Sequence, residues 1–115
     1  MIKMDEVVLR KILSYCKEIE LSVYDMQYKD FMLVTNYEKR NSCSFALLQI
    51  GELTKKLDDN VKNQHSDIRW KSWSGIRNSI AHNYEGFDMK RAWNICKNHI
   101  PILRKSVNSI LDGEQ

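Results

Sequence analysis

The fold is decided by residues 43–57, whose sequence is CSFALLQIGELTKKL. Apolar side chains recur there at intervals of 3, 4, 3 and 4 residues, which places them on one face of an α-helix. These side chains are Cys43, Ala46, Ile50, Leu53 and Leu57. Because Phe45, Leu47 and Leu48 widen the apolar face, we predict a central helix covered by neighbours on two sides.

Helical spacing also runs through the segments on either side. Residues 8–19 carry apolar side chains 4, 3 and 4 residues apart, which predicts an amphipathic first helix. A short second helix is predicted over residues 30–38 with Asp30 as its cap, and a fourth from Ile68 into the low eighties. The segments predicted to be irregular are residues 21–29 and 58–66.

The last helix is predicted to begin after Asp88, which can cap it, while Gly86 is a candidate stop for the helix before it. Apolar side chains keep spacings of 4, 3, 4, 3, 4 and 3 over residues 89–110. Pro101 has no N–H to donate to the carbonyl of Lys97 and should kink this helix. Since the spacing holds its phase across the proline, one bent helix is predicted.

Composition supports a single all-α domain over residues 1–115. Hydrophobic residues make up 43% of the chain, enough for an ordinary core, and four glycines and one proline are too few for an all-β sandwich. No apolar run approaches the roughly 20 residues of a membrane-spanning helix, and charges are spread through the N-terminal segment. We therefore expect neither a membrane protein nor a signal peptide, and a frayed tail at residues 112–115.

The cysteines and the net charge exclude several classes of protein. Cys16, Cys43 and Cys96 form no CxxC pair, so a disulfide framework or a zinc site is not expected, and each lies in an apolar stripe as a small core residue. A reducing cytoplasm fits this pattern best. The net charge of +3 permits a phosphate-rich partner without requiring one.

One segment carries chemistry: residues 77–84, RNSIAHNY. Asn78 and His82 are one helical turn apart, so the Asn78 amide is placed to orient the imidazole. If the helix continues, Arg77 and Tyr84 lie within about 20° of one face. Arg77 and His82 are about 140° apart around a straight helix, and their convergence needs a distorted last turn, the reach of the arginine, or a second copy of the chain.

These residue types suit the cleavage of RNA. An imidazole titrates near neutral pH and can exchange a proton with a 2′-hydroxyl or a leaving oxygen. A guanidinium binds phosphate and stabilises a phosphorane-like transition state. Taken by itself, however, an Arg and a His near a helix end are more often surface or capping residues.

The motif resembles that of HepT-like proteins of the HEPN superfamily, in which Arg-Asn is followed by His five residues after the Arg and by Tyr two residues later. The resemblance extends along most of the chain. Its further motifs are LQIGEL at 48–53, Trp70, GIRN at 75–78, Phe87-Asp88, Trp93 and IPIL at 100–103.

This resemblance implies a homodimeric HEPN-type antiparallel bundle of four to five helices. It implies a metal-independent endoribonuclease with no cofactor, the toxin of a type VII HEPN/MNT toxin–antitoxin pair, leaving 2′,3′-cyclic phosphate ends. The implied partner is an MNT-type nucleotidyltransferase that neutralises the toxin by transferring AMP to Tyr84. By position, Arg77 and His82 are the catalytic residues of a composite dimer site, and Asn78 supports them.

Two matters stay open on the sequence alone. HEPN domains include catalytically silent members, so the alternative is a module that binds a nucleotide or docks the nucleotidyltransferase. Glu52 is either a solvated charge, a partner of Arg77 or a site residue, and Gly51 inside an apolar helix indicates close helix packing. The three tryptophans are expected in the core or a dimer interface.

Overall fold

The computed structural model describes residues 1–113, which are mostly helical and contain no β-strand. The predicted all-α class is therefore confirmed. In chain order the helices are α1 (Lys3–Val23), α2 (Tyr28–Phe31), α3 (Tyr37–Lys56), α4 (Asp59–Gln64), α5 (Trp70–His82), α6 (Met89–Asn94) and α7 (Ile100–Gly113). A 3₁₀ turn covers Val34–Asn36, and a π-helical segment, Ile95–His99, joins α6 to α7.

Helix α3 is the centre of the bundle, with α1 on one side and α5 on the other, and α7 packs against α1. The Gln49 amide of α3 meets the Tyr15 hydroxyl of α1 at 3.5 Å. At the far end of this pair, the backbone N–H of Asp58, just after α3, donates to the Asp5 carboxylate at 3.1 Å. Residue numbers therefore increase along α3 while those of its contacts on α1 decrease, so α1 and α3 are antiparallel.

The predicted central helix is confirmed on its two buried faces. Leu47 and Ile50 are fully buried, and Ala46 and Leu53 are nearly so. Phe45 differs from expectation, because half of its surface is exposed. The helix also begins six residues before Cys43, so its first turns lack the apolar repeat that identified the rest.

The helix predicted over residues 30–38 is wrong in its position. A single helical turn, α2, comes first, capped by Gln27 instead of Asp30. Asp30 is the third helical residue and accepts a 2.8 Å hydrogen bond from the Gln27 backbone N–H, closing a capping box. Residues 21–29 were also expected to be irregular, yet α1 continues to Val23, which is buried against the core.

The loop predicted over residues 58–66 is wrong as well, since it contains α4. Asp58 caps this helix by accepting from the backbone N–H of Asn60 at 2.9 Å. The cap is itself held by Asp5, a nearly fully buried carboxylate. Six residues are too few for a helical repeat to show in the sequence, so the cap was the only local signal.

The C-terminal helix runs unbroken across the proline, as predicted. Asp88 caps it, accepting from the backbone N–H groups of Lys90 at 2.9 Å and Arg91 at 3.4 Å. The π-helical segment ends just before Pro101, where the i−4 hydrogen bond cannot form. Asp112 and Gly113 are helical and do not fray, whereas residues 114–115 lie outside the described part of the chain.

None of the helices within residues 1–113 is both long and apolar enough to span a bilayer.

Candidate functional site

The site is built where α3 and α5 cross at Gly51. A Cβ atom at this position would lie 2.7 Å from the Trp73 carbonyl oxygen and inside van der Waals contact of the Arg77 Cβ. Close packing, the expected reason for Gly51, is therefore confirmed, and it brings the backbone of α3 directly against Arg77. Beside the crossing, the Thr54 and Ser74 hydroxyls lie 3.5 Å apart.

The Arg77 guanidinium is held from both helices. Its Nε forms an ion pair with Oε1 of Glu52 on α3, and its Nη1 donates to Oδ1 of Asn78 at 3.2 Å. Both partners of the ion pair are about one-third exposed, at 33% and 35% of their side chains. Glu52 is thus a partner of Arg77, one of the three roles left open by the sequence.

Asn78 does not orient His82 as expected. Its Oδ1 instead accepts from Lys55 Nζ at 2.8 Å as well as from Arg77 Nη1. One amide oxygen therefore sits between two cations, one from each helix. Lys55 lies three residues after Glu52, so the two side chains share one face of α3.

His82 is the last residue of α5 and is exposed. Within residues 1–113 its side chain has no hydrogen-bond or ion-pair partner. The imidazole is therefore free to meet a ligand, and nothing inside one protomer fixes its ring.

Tyr84 lies beyond the end of α5, because the helix stops at His82 and not near Gly86. The condition for Arg77 and Tyr84 to share a helix face, that the helix continues to residue 84, is therefore not met. The Tyr84 hydroxyl donates towards Asn41 of α3, with its backbone oxygen at 3.2 Å and its Oδ1 at 3.1 Å. Loss of solvent around the phenol, together with the nearby Tyr37, raises the pKa of Tyr84 above its ordinary value. The phenol is consequently neutral at physiological pH.

Gly86 contributes to the turn after α5. Its backbone N–H donates to the Asn83 side-chain oxygen at 3.0 Å. A Cβ at residue 86 would collide with the Asn83 amide. A glycine at residue 86 therefore allows the turn that contains Tyr84 to close on Asn83.

No hydrogen bond or ion pair joins Arg77 to His82 within one protomer among the described residues. Arg77 is paired with Glu52 at the α3–α5 crossing, whereas His82 is the exposed last residue of α5. Arg77, Asn78 and Lys55 form one polar cluster, and His82 lies outside it.

The tryptophans belong to the core, as expected. Trp70 and Trp73 are buried, and the Trp70 indole N–H donates to the His65 carbonyl at 3.1 Å. Trp93 is half-buried and packs on Phe31, with ring centroids 5.1 Å apart.

The cysteines are buried and unpaired, as predicted. Burial raises the pKa of Cys16 to about 12, with Glu20 adding to the rise and Arg104 opposing it. A thiol–thiol contact with Cys96 lowers the pKa of Cys43, and the same contact raises that of Cys96.

A cavity of about 650 Å³ lies between α5 and the C-terminal helix. From α5 it is lined by Trp73, Gly75, Ile76 and Ser79. Arg77, Asn78, His82 and Tyr84 do not line this cavity, so the cavity and the polar cluster are on different sides of α5. Within residues 1–113, no group of three or more His, Cys, Asp or Glu side chains is placed to hold a metal ion.

Comparison with protein families gives one match over most of the chain. The family described as Ribonuclease HepT-like matches residues 12–110. The matched range contains Gly51, Glu52 and the whole motif at 77–84.

Individual proteins that are similar in sequence to this chain are also named as ribonucleases. "Putative RNase MJ0125" of Methanocaldococcus jannaschii is 30% identical over 103 residues, covering 90% of this chain and 87% of that protein. "Putative RNase TTE0752" of Caldanaerobacter subterraneus subsp. tengcongensis is 30% identical over 107 residues, covering 93% and 94%. "Probable ribonuclease HepT" of Thermococcus cleftensis is 34% identical over 59 residues, covering 51% and 54%. No solved structure matches the chain with significance.

Proposed function

The chain belongs to the HepT-like ribonuclease family, and we propose that it is a metal-independent endoribonuclease acting as the toxin of a type VII HEPN/MNT toxin–antitoxin pair. The observation that carries this proposal is the arrangement of Arg77. Its Nε is engaged by Glu52, while its Nη1 donates to the exposed Asn78 side chain. An arginine anchored in this way presents a pre-oriented fork to a phosphate.

Arg77 is proposed to bind the scissile phosphate and stabilise its transition state. As the 2′-oxygen attacks, negative charge accumulates on the non-bridging oxygens, and a fixed guanidinium gains interaction energy at that moment. The Glu52 ion pair holds the side chain in place beforehand, which reduces the reorganisation required.

His82 is proposed to transfer the protons. It takes the proton of the 2′-hydroxyl, or gives one to the departing 5′-oxygen. The products are a 2′,3′-cyclic phosphate and a 5′-hydroxyl end. DNA lacks the nucleophile and is not cut by this route.

We propose that the active form is a homodimer with a composite site. Among the described residues no hydrogen bond or ion pair joins Arg77 to His82 within one protomer, and five residues place them about 140° apart around a straight helix. A second copy is therefore the simplest source of the missing group. In such a site, Arg77 of one protomer acts together with His82 of the other, and that His82 transfers the proton.

Tyr84 is proposed to accept AMP from an MNT-type nucleotidyltransferase. Its phenol is partly exposed and lies two residues from His82. AMP on this hydroxyl would add bulk and negative charge where the RNA phosphate must bind, so it would inhibit by steric exclusion and by repulsion.

The test is RNA cleavage by purified, unmodified protein in excess EDTA, with His82→Ala as a matched variant. Intact mass confirms that the protein carries no AMP. We expect cleavage with cyclic phosphate ends, and a loss of about 10²-fold or more in His82→Ala, because general acid–base catalysis contributes about that much. Binding of RNA without cleavage by the wild type would favour the silent binding module instead.

A further inference from the structure

Lys55 is the one cation in contact with the motif, among the described residues, that the proposed chemistry leaves unused. It lies in the last turn of α3, is exposed, and donates to Asn78 Oδ1 at 2.8 Å. Arg77 Nη1 reaches the same oxygen at 3.2 Å. The Lys55 ammonium and the Arg77 guanidinium are therefore adjacent, bridged by a neutral amide.

The charges around Asn78 Oδ1 favour the binding of an anion. Glu52 neutralises Arg77 on the α3 side, so Lys55 supplies the excess positive charge of the cluster. Arg77 and Lys55 both donate to the neutral Asn78 amide oxygen, and this uses only some of their hydrogen-bond donors. A lysine ammonium has three donors, and one of them is used by Asn78.

A phosphate oxygen is a stronger acceptor than an amide oxygen, because the hydrogen bond is then charge-assisted on both sides. A phosphodiester approaching Asn78 would thus meet the Arg77 terminal nitrogens and the Lys55 ammonium together.

We propose that Lys55 is a second phosphate-binding residue of the RNA site, which contacts the backbone next to the phosphate held by Arg77. The inference rests on the proposed ribonuclease function and adds a residue outside the 77–84 motif. Lys55 holds RNA in place and takes no part in proton transfer.

The chain offers a matched control in Lys56. It is the adjacent residue of α3, has the same charge and is also exposed. Within residues 1–113 it makes no hydrogen bond or ion pair, and it points about 100° away around the helix. Replacing either lysine by glutamine removes the same charge, so only the location differs.

The experiment measures binding of a 2′-O-methyl oligoribonucleotide, which cannot be cut because its nucleophile is blocked. Affinity is measured at several salt concentrations for wild type, Lys55→Gln, Lys55→Arg and Lys56→Gln. We expect Lys55→Gln to bind about tenfold more weakly, with the slope of log affinity against log salt shallower by about 0.7 for each phosphate that is no longer neutralised. Lys55→Arg and Lys56→Gln should stay close to wild type.

Cleavage kinetics on unmodified RNA separate binding from chemistry. Lys55→Gln should raise KM and leave kcat within about twofold, since the lysine binds the phosphate equally in the ground and transition states. Equal affinities and salt slopes for Lys55→Gln and Lys56→Gln would overturn the proposal. So would weak binding by Lys55→Gln with an unchanged slope, because Lys55 would then only hold α5 in place.

The outcome is distinguishable from failure of the ribonuclease proposal. If wild type binds the blocked oligonucleotide with the expected Lys55 dependence yet cleaves no RNA, the ribonuclease proposal fails and the Lys55 assignment stands. If wild type cleaves RNA while Lys55→Gln behaves as wild type, the reverse holds.

Discussion

The Arg77 side chain has both structural contacts and a proposed role in catalysis. Its Nε is engaged by Glu52, and its Cβ is against the backbone of Gly51. A partly exposed ion pair of this kind contributes little to stability, about 0–1 kcal/mol. Its role is to fix the direction of the guanidinium, which a lysine at the same position would not reproduce.

At the same scale, Tyr84 separates inhibition from catalysis. We expect Tyr84→Phe to cleave RNA within about threefold of wild type, because the proposed chemistry uses Arg77 and His82. The variant should gain no AMP when incubated with the nucleotidyltransferase and ATP, since the accepting oxygen is absent. Intact mass spectrometry measures the addition.

Wild-type protein, treated in parallel, is the control for the activity of the transferase. An AMP mass on Tyr84→Phe would show that the acceptor is another residue. The Tyr84 hydroxyl also donates to Asn41, so a comparison of melting temperatures checks that the turn after α5 is intact.

Gly51 and Gly75 lie on the neighbouring helices α3 and α5 and differ in the space available for a Cβ atom. Gly51 lies in α3 against α5, whereas a Cβ at Gly75 in α5 meets nothing within 4 Å. Alanine gains up to about 1 kcal/mol over glycine in a helix interior. Overpacking a close contact costs about 1–3 kcal/mol.

We therefore expect Gly75→Ala to raise the melting temperature and Gly51→Ala to lower it. Gly51→Ala should also reduce RNA cleavage, because α5 must move away and carries Arg77 with it. Thermal unfolding followed by circular dichroism measures the first effect. If both variants melt alike, the tight crossing of α3 and α5 is not a source of stability.

At the scale of the whole molecule, the proposed composite site predicts complementation between protomers. Arg77→Ala and His82→Ala should each be inactive alone. Mixed dimers, formed by co-expression with two different affinity tags, retain one intact Arg77 and one intact His82. We expect tandem-purified mixed dimers to recover cleavage well above either variant.

Size-exclusion chromatography verifies that the mixed species is a dimer. Mixed dimers that form and stay inactive would show that Arg77 and His82 of one protomer act together. A protein that is monomeric under assay conditions and still cleaves RNA would rule out the composite site altogether.

The long helices, the core and the motif residues could be predicted from the amino-acid sequence, because apolar periodicity and end caps are local information. Residues 43–57 identified the central helix, and Asp88 caps the last helix as predicted. Helix α2 was misplaced and α4 was predicted to be a loop, since four and six residues are too few for a periodic signal.

Which distant side chains come into contact depends on how the helices pack. Lys55 and Asn78 are 23 residues apart, Asn41 and Tyr84 are 43 apart, and Asp5 and Asp58 are 53 apart. No local pattern relates these pairs, because their contact depends on how α3 lies against α5 and α1. The close crossing of α3 and α5 at Gly51 therefore places a lysine beside the motif. It leaves His82 without a hydrogen-bond or ion-pair partner inside one protomer among the described residues.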